Sequence, residues 1–117
     1  VRRLSLAIAP ERLAGTLILV PMLNPFGVFA LSRYLPDGKD LNRNFPGSPD
    51  GNVAAQMAHA LFTKVLTLCD YGIDLHTATR GRTNLPHVRA DLSDPGVARQ
   101  ARALGAEVIL DLPGPEK

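Results

Sequence analysis

The sequence predicts an α/β fold, a mixed and mostly parallel sheet flanked by helices, and three observations carry that prediction. The run Thr16-Leu17-Ile18-Leu19-Val20 is continuously apolar, as a central strand buried on both faces must be. A second short run, Tyr71 to Leu75, has the same character. Between them Val53, Ala54, Met57, Ala58, Leu61, Phe62, Val65 and Leu66 recur at three- and four-residue spacing, the stripe of an amphipathic helix. Strands that alternate with helices pair in parallel through right-handed crossovers.

Taken in order, Leu4, Leu6 and Ile8 alternate like a strand, although the same stretch reads equally as the end of a helix, and Pro10 stops it. Gly15 introduces the first strand and Pro21 closes it. Asn24-Pro25-Phe26-Gly27 is turn chemistry, with room for a short helical turn between Phe26 and Tyr34. Leu35 to Gly51 holds three prolines and three glycines and is expected to be irregular, yet Leu41 and Phe45 within it argue that it packs down. Asp50 or Asn52 caps the long helix, which runs to Leu68 with His59 and Lys64 on its solvated face. The Tyr71–Leu75 strand follows, then a polar loop from Ala78 to Asp94. Asp94 and Pro95 open a helix to about Leu104. Gly105 ends it, and Glu107 to Leu112 forms a last strand.

The 117 residues, 45% hydrophobic and 21% charged, suit one globular domain spanning 1–117. A chain of this length buries roughly 65% of its unfolded surface, enough for a modest core. The single cysteine, Cys69, excludes an internal disulfide and is expected to be a buried, inert thiol. No apolar run is long enough to cross a bilayer. A cytoplasmic location is the default expectation; no signal peptide is visible, but the chain begins at Val1 rather than Met, so that absence carries little weight. The pI near 9.0 comes with a net charge of only +2 and singly scattered arginines. With two Tyr, four Phe and no Trp to stack on bases, nucleic-acid binding is not expected.

Chemistry concentrates in two stretches. Asp74-Leu75-His76-Thr77 stands at the C-terminal end of an expected strand, where ligands of open α/β sheets collect. A histidine there is a natural metal ligand or acid/base, against the plainer reading of a hydrogen-bonded structural residue. Asp40-Leu41-Asn42-Arg43 is the other stretch. Arg43 can grip a carboxylate with two parallel hydrogen bonds, and Asn42 offers both a donor and an acceptor. Arg33 stands across the Pro36-Asp37-Gly38 turn. If the loop folds over the strand ends, Arg33, Asn42 and Arg43 converge on one anionic group; otherwise they are ordinary surface residues. Asp40 and Asp74 are expected to orient the loop and the strand end by accepting backbone hydrogen bonds.

Leu23-Asn24-Pro25-Phe26-Gly27, Arg33, Asp40-Leu41-Asn42-Arg43-Asn44-Phe45-Pro46-Gly47 and Asp74-Leu75-His76-Thr77 stand in an order and spacing that resembles the succinylglutamate desuccinylase/aspartoacylase family of zinc carboxypeptidase-like hydrolases. Gly81 to Arg89 resembles the segment that follows the zinc histidine in bacterial members. The resemblance runs from about Gly15 to Leu112 and implies part of a zinc carboxypeptidase-like fold, a central section of the catalytic domain incomplete at both ends. It implies that His76 is a Zn2+ ligand, that Asn42 and Arg43 bind substrate with Arg43 on its carboxylate, and that Arg33 is catalytic, polarising the scissile carbonyl. The implied reaction is hydrolysis of an N-acyl amino acid or related amide by a zinc-activated water, whose pKa the metal lowers to about 7. The implied partner is a small carboxylate-bearing substrate.

The family's His and Glu zinc ligands, three apart before the first strand, have no counterpart here, since no histidine precedes His59. Its catalytic glutamate lies further toward the C-terminus, and neither Glu107 nor Glu116 has a matching context. His59 and His87 are not expected to replace the missing ligands. One histidine cannot hold a catalytic zinc, which needs three protein ligands and an open position. The 117 residues alone are therefore expected to be inactive, with exposed sheet edges. The alternative is a non-catalytic carboxylate-binding remnant of the same fold.

Overall fold

The computed structural model describes residues 1–78 and 81–114. Their contacts divide the chain into two compact units, Val1–Asp70 and Tyr71–Lys117.

In the first unit, α1 spans Arg2–Ala7 and α2 spans Pro25–Ala30. Of the two readings open for the N-terminal stretch, the helix is the one adopted. It buries none of its residues. A 3-10 turn covers Leu41–Asn44, and α3 covers Val53–Lys64, followed by a second 3-10 turn over Leu66–Leu68. Asn52 caps α3 by accepting the Ala55 N–H at 3.0 Å. Asp37 adds a cap from outside the helix, its Oδ2 accepting the Ala54 N–H at 3.2 Å. An anion at a helix N-terminus answers both the orphan amides and the helix dipole.

The core of this unit forms where α3 meets the irregular loop. Ala54 and Ala58, one turn apart, lie against Leu35 and Leu41, with Phe45, Met57 and Leu61 packed around them. The loop does pack down as Leu41 and Phe45 require. Its approach is close because Gly47 lies directly on the α3 backbone at Ala55 and His59. His59 is consequently half-buried rather than solvated, while Lys64 is exposed. Val53, Phe62 and Leu66 of the expected stripe remain exposed.

The second unit is a parallel β-α-β unit. β1 (His87–Ala90) pairs in parallel with β2 (Val108–Asp111), His87 opposite Val108 and Ala90 opposite Asp111, and α4 (Pro95–Ala103) connects them. Asp94 caps α4, one oxygen accepting the Gly96 and Val97 amides at 2.7 and 3.0 Å. Ala98 and Ala101 form the buried side of α4. The fold class is thus α/β with parallel pairing, as expected.

The strands are not all where the sequence placed them. Thr16–Val20 and Tyr71–Leu75 adopt no regular secondary structure and belong to no ladder among the described residues, and Leu17, Ile18, Tyr71, Ile73 and Leu75 are exposed. An apolar run becomes a strand only when another backbone takes its amides and carbonyls, which composition cannot supply. β1 lies inside the stretch read as a polar loop. Its only sequence signal is the alternation of Val88 and Ala90 ahead of a helix that needs a strand on each side. Cys69 is exposed rather than buried, because the helix ends before it.

Candidate functional site

The first constellation is built on a tight reversal. The Leu35 N–H donates to the Lys39 carbonyl at 2.9 Å, Gly38 N–H donates to the Leu35 carbonyl, and Tyr34 bridges Asp40 in antiparallel fashion. Gly38 adopts φ +73°, a conformation that favours glycine. This reversal sets Arg33 beside Asp40. Both the Nε and one terminal nitrogen of Arg33 lie 2.8 Å from Asp40 Oδ2. The other oxygen, Oδ1, accepts the Asn42 N–H at 3.1 Å and so caps the Leu41–Asn44 turn. Arg43 Nε approaches the same Oδ2 only to 3.7 Å, beyond a hydrogen bond. The Asn44 amide donates to the Asp40 carbonyl at 2.7 Å.

The two arginines therefore differ. Asp40 is 11% exposed and holds Arg33, which is 49% exposed, while Arg43 projects with 84% of its side chain exposed. The structure brings Arg33, Asn42 and Arg43 together around Asp40, a hub whose two oxygens serve different partners. Asn24 supports the arrangement from the other side. Its Oδ1 accepts the Gly27 N–H at 2.8 Å as the cap of α2, and its amide donates to the Arg33 carbonyl at 3.3 Å. Sequence reading took Asn24 as turn chemistry alone and missed this tie.

His76 lies in the second unit. Its Nε2 is 2.6 Å from Asp74 Oδ2, with both side chains more than half exposed. Asp74 thus serves the imidazole rather than the backbone role expected of it. The Gly72–His76 segment, β1 and α4 border a cleft of about 220 Å3. An imidazole that donates one N–H to a carboxylate presents its other nitrogen, here Nδ1, as a lone pair suited to a metal. Among the described residues, however, no three His, Cys, Asp or Glu side chains are grouped closely enough to hold an ion. These residues alone do not fit a catalytic zinc site.

His87 is excluded as a ligand by its own bonds. Arg89 Nε donates to His87 Nε2 at 3.2 Å, so the proton sits on Nδ1, which donates to the Leu85 carbonyl at 2.7 Å. Asp91, just past β1, accepts from the Ser93 hydroxyl and from the Gly114 and Ser93 amides. The Ser93 hydroxyl, then these amides, hold its carboxyl below the usual carboxylate value.

Comparison with known proteins now bears on these residues. A curated protein of Halomonas elongata, N-alpha-acetyl-L-2,4-diaminobutyric acid deacetylase, is 38% identical over 105 residues, covering 88% of this chain. The chain spans about 30% of that relative's length. No solved structure matches it significantly. No helix among the described residues is long and apolar enough to cross a membrane. The family model for the succinylglutamate desuccinylase/aspartoacylase catalytic domain matches residues 1–116, and the chain belongs to that family.

Proposed function

We propose that these residues form part of a zinc-dependent amide hydrolase that releases an acyl group from an N-acyl amino acid. The observation that carries the reading is the pairing of a fixed arginine with a free one. Arg43, exposed and without a hydrogen-bonded carboxylate, suits a substrate carboxylate gripped through two N–H groups. Arg33, held by Asp40, suits a fixed positive charge against an oxygen that becomes negative during acyl transfer. A preorganised donor of this kind is typically worth about 3 kcal/mol of barrier. Asn42, at the start of the capped turn, adds a side-chain donor and acceptor for the same substrate.

His76 is proposed as one zinc ligand, turned by Asp74 so that Nδ1 is available. The remaining ligands and the general base would come from outside these 117 residues, which by themselves would be inactive. The relative's name suggests an acetylated diamino acid as a first substrate to try.

The test is made on the full-length protein. Metal content of wild type and His76→Ala is measured together with acetate release from N-alpha-acetyl-L-2,4-diaminobutyrate. The expected result is near-stoichiometric zinc and acetate release in wild type, and loss of both in the variant. Unchanged zinc in His76→Ala would refute the ligand assignment. A wild type that binds N-acyl amino acids but neither holds zinc nor releases acetate would show a carboxylate-binding remnant instead.

A further inference from the structure

The least exposed charged residue of the arginine cluster is neither of the arginines. Asp40 sits between Arg33 and the Asn42 amide, and its two carboxylate oxygens divide the labour. Oδ2 takes two guanidinium nitrogens of Arg33 at 2.8 Å, and Oδ1 takes the Asn42 N–H at 3.1 Å. The second cation, Arg43, is left 3.7 Å from the oxygen that Arg33 already occupies.

We propose that Asp40 is the positioning residue of this site, anchoring Arg33 so that it points one way while leaving Arg43 free for the substrate's carboxylate. This rests on the hydrolase reading above and deepens it. The Nε–H hydrogen bond, with a second guanidinium nitrogen in ion-pair contact at 2.8 Å with the same oxygen, restrains the guanidinium more than a single contact would. A mostly desolvated carboxylate also strengthens that hold, since water competes less for it. Arg43 lacks any such restraint, so it can follow the carboxylate it receives. Asp40 thereby gives two neighbouring, chemically identical side chains different roles.

The two oxygens allow these roles to be separated. In Asp40→Asn the amide oxygen can still accept the Asn42 N–H, but the amide nitrogen, a donor, would face the donors of Arg33. The turn stays capped and Arg33 is released. Asp40→Ser is the second variant, since serine also caps a turn and carries no charge. It is read if the asparagine variant does not fold.

Two measurements on the full-length protein test the proposal. The first is the 15N-resolved Nε–H resonance of Arg33, assigned with Arg33→Lys. It is expected to be slowly exchanging in wild type and to broaden or vanish in Asp40→Asn. The second is the kinetics of N-alpha-acetyl-L-2,4-diaminobutyrate hydrolysis. Here kcat is expected to fall roughly 10- to 100-fold, the usual cost of removing a supporting partner, with KM little changed. A purely structural role would lower stability and the active fraction without a shift in the Arg33 signal. An Arg33 resonance indifferent to Asp40, or a variant that raises KM and spares kcat, overturns the proposal. If wild type hydrolyses nothing, the hydrolase reading fails, and the Arg33 resonance alone then decides for or against the anchoring.

Discussion

Gly47→Ala is expected to destabilise the loop that carries Asn42 and Arg43 by a large amount, and the structure supplies both parts of the cost. Gly47 adopts φ +86°, where a residue with a Cβ is strained by roughly 1–2 kcal/mol. The added methyl would also meet α3 itself, the Ala55 carbonyl and the His59 amide well inside 3.0 Å and His59 Cα at 2.9 Å. These are backbone atoms in the middle of a helix and cannot rotate aside, so the loop must lift. Overpacking of this kind costs about 1–3 kcal/mol. Together the loss is about 2–5 kcal/mol, a large share of the 5–15 kcal/mol that roughly holds a domain together. Gly38→Ala is the control, because φ there is +73° but nothing lies within 4 Å of the added Cβ. It should show the strain alone. Urea unfolding of both variants in the full-length protein, followed by far-ultraviolet circular dichroism, gives the two differences. Equal losses in the two variants would refute the close-contact argument, and a Gly47→Ala loss under about 1 kcal/mol would refute the whole account.

Two further outcomes follow from the local structure. Leu31 ends α2 in the left-handed region at φ 49° and is 86% exposed, so Leu31→Gly is expected to raise stability by about 1 kcal/mol in thermal unfolding. Asp91 has its folded pKa depressed, chiefly by the Ser93 hydroxyl, so the stability it contributes is present above its unfolded value near pH 4 and is lost as pH falls through the lower folded value. Ser93→Ala should move the Asp91 carboxyl titration upward toward its unfolded value, read by carbon-detected NMR, and the share of stability that Asp91 loses on acidification should then shrink.

What was legible in the sequence was local. α3 with its Asn52 cap, α4 with Asp94 and Pro95, and β2 all announce themselves through caps, breakers or periodicity within a dozen residues. β1 did not, because four residues with a charge and a histidine become a strand only by pairing with a partner about twenty positions away. Thr16–Val20 and Tyr71–Leu75 failed in the opposite sense, with strand composition and no partner among the described residues. The site divides the same way. Arg33, Asn42, Arg43 and His76 could be singled out by type and order, but which carboxylate each would meet could not. Asp40 was read as a backbone acceptor and does accept the Asn42 N–H, but it also holds Arg33, while Asp74, read the same way, meets His76 instead.

Asp37 has a consequence for how this region orders. Its carboxylate belongs to the turn between Arg33 and Asp40, yet Oδ2 satisfies the Ala54 amide seventeen residues along the chain while Oδ1 accepts the Lys39 N–H at 3.1 Å. The first turn of α3 is thus completed only when that turn has closed and docked. Arginine loop and helix start become one cooperative opening unit, with a common protection against hydrogen exchange at Lys39 and Ala54. Whatever loosens the helix start therefore also loosens the turn that sets Arg33 beside Asp40, although that helix end holds neither residue.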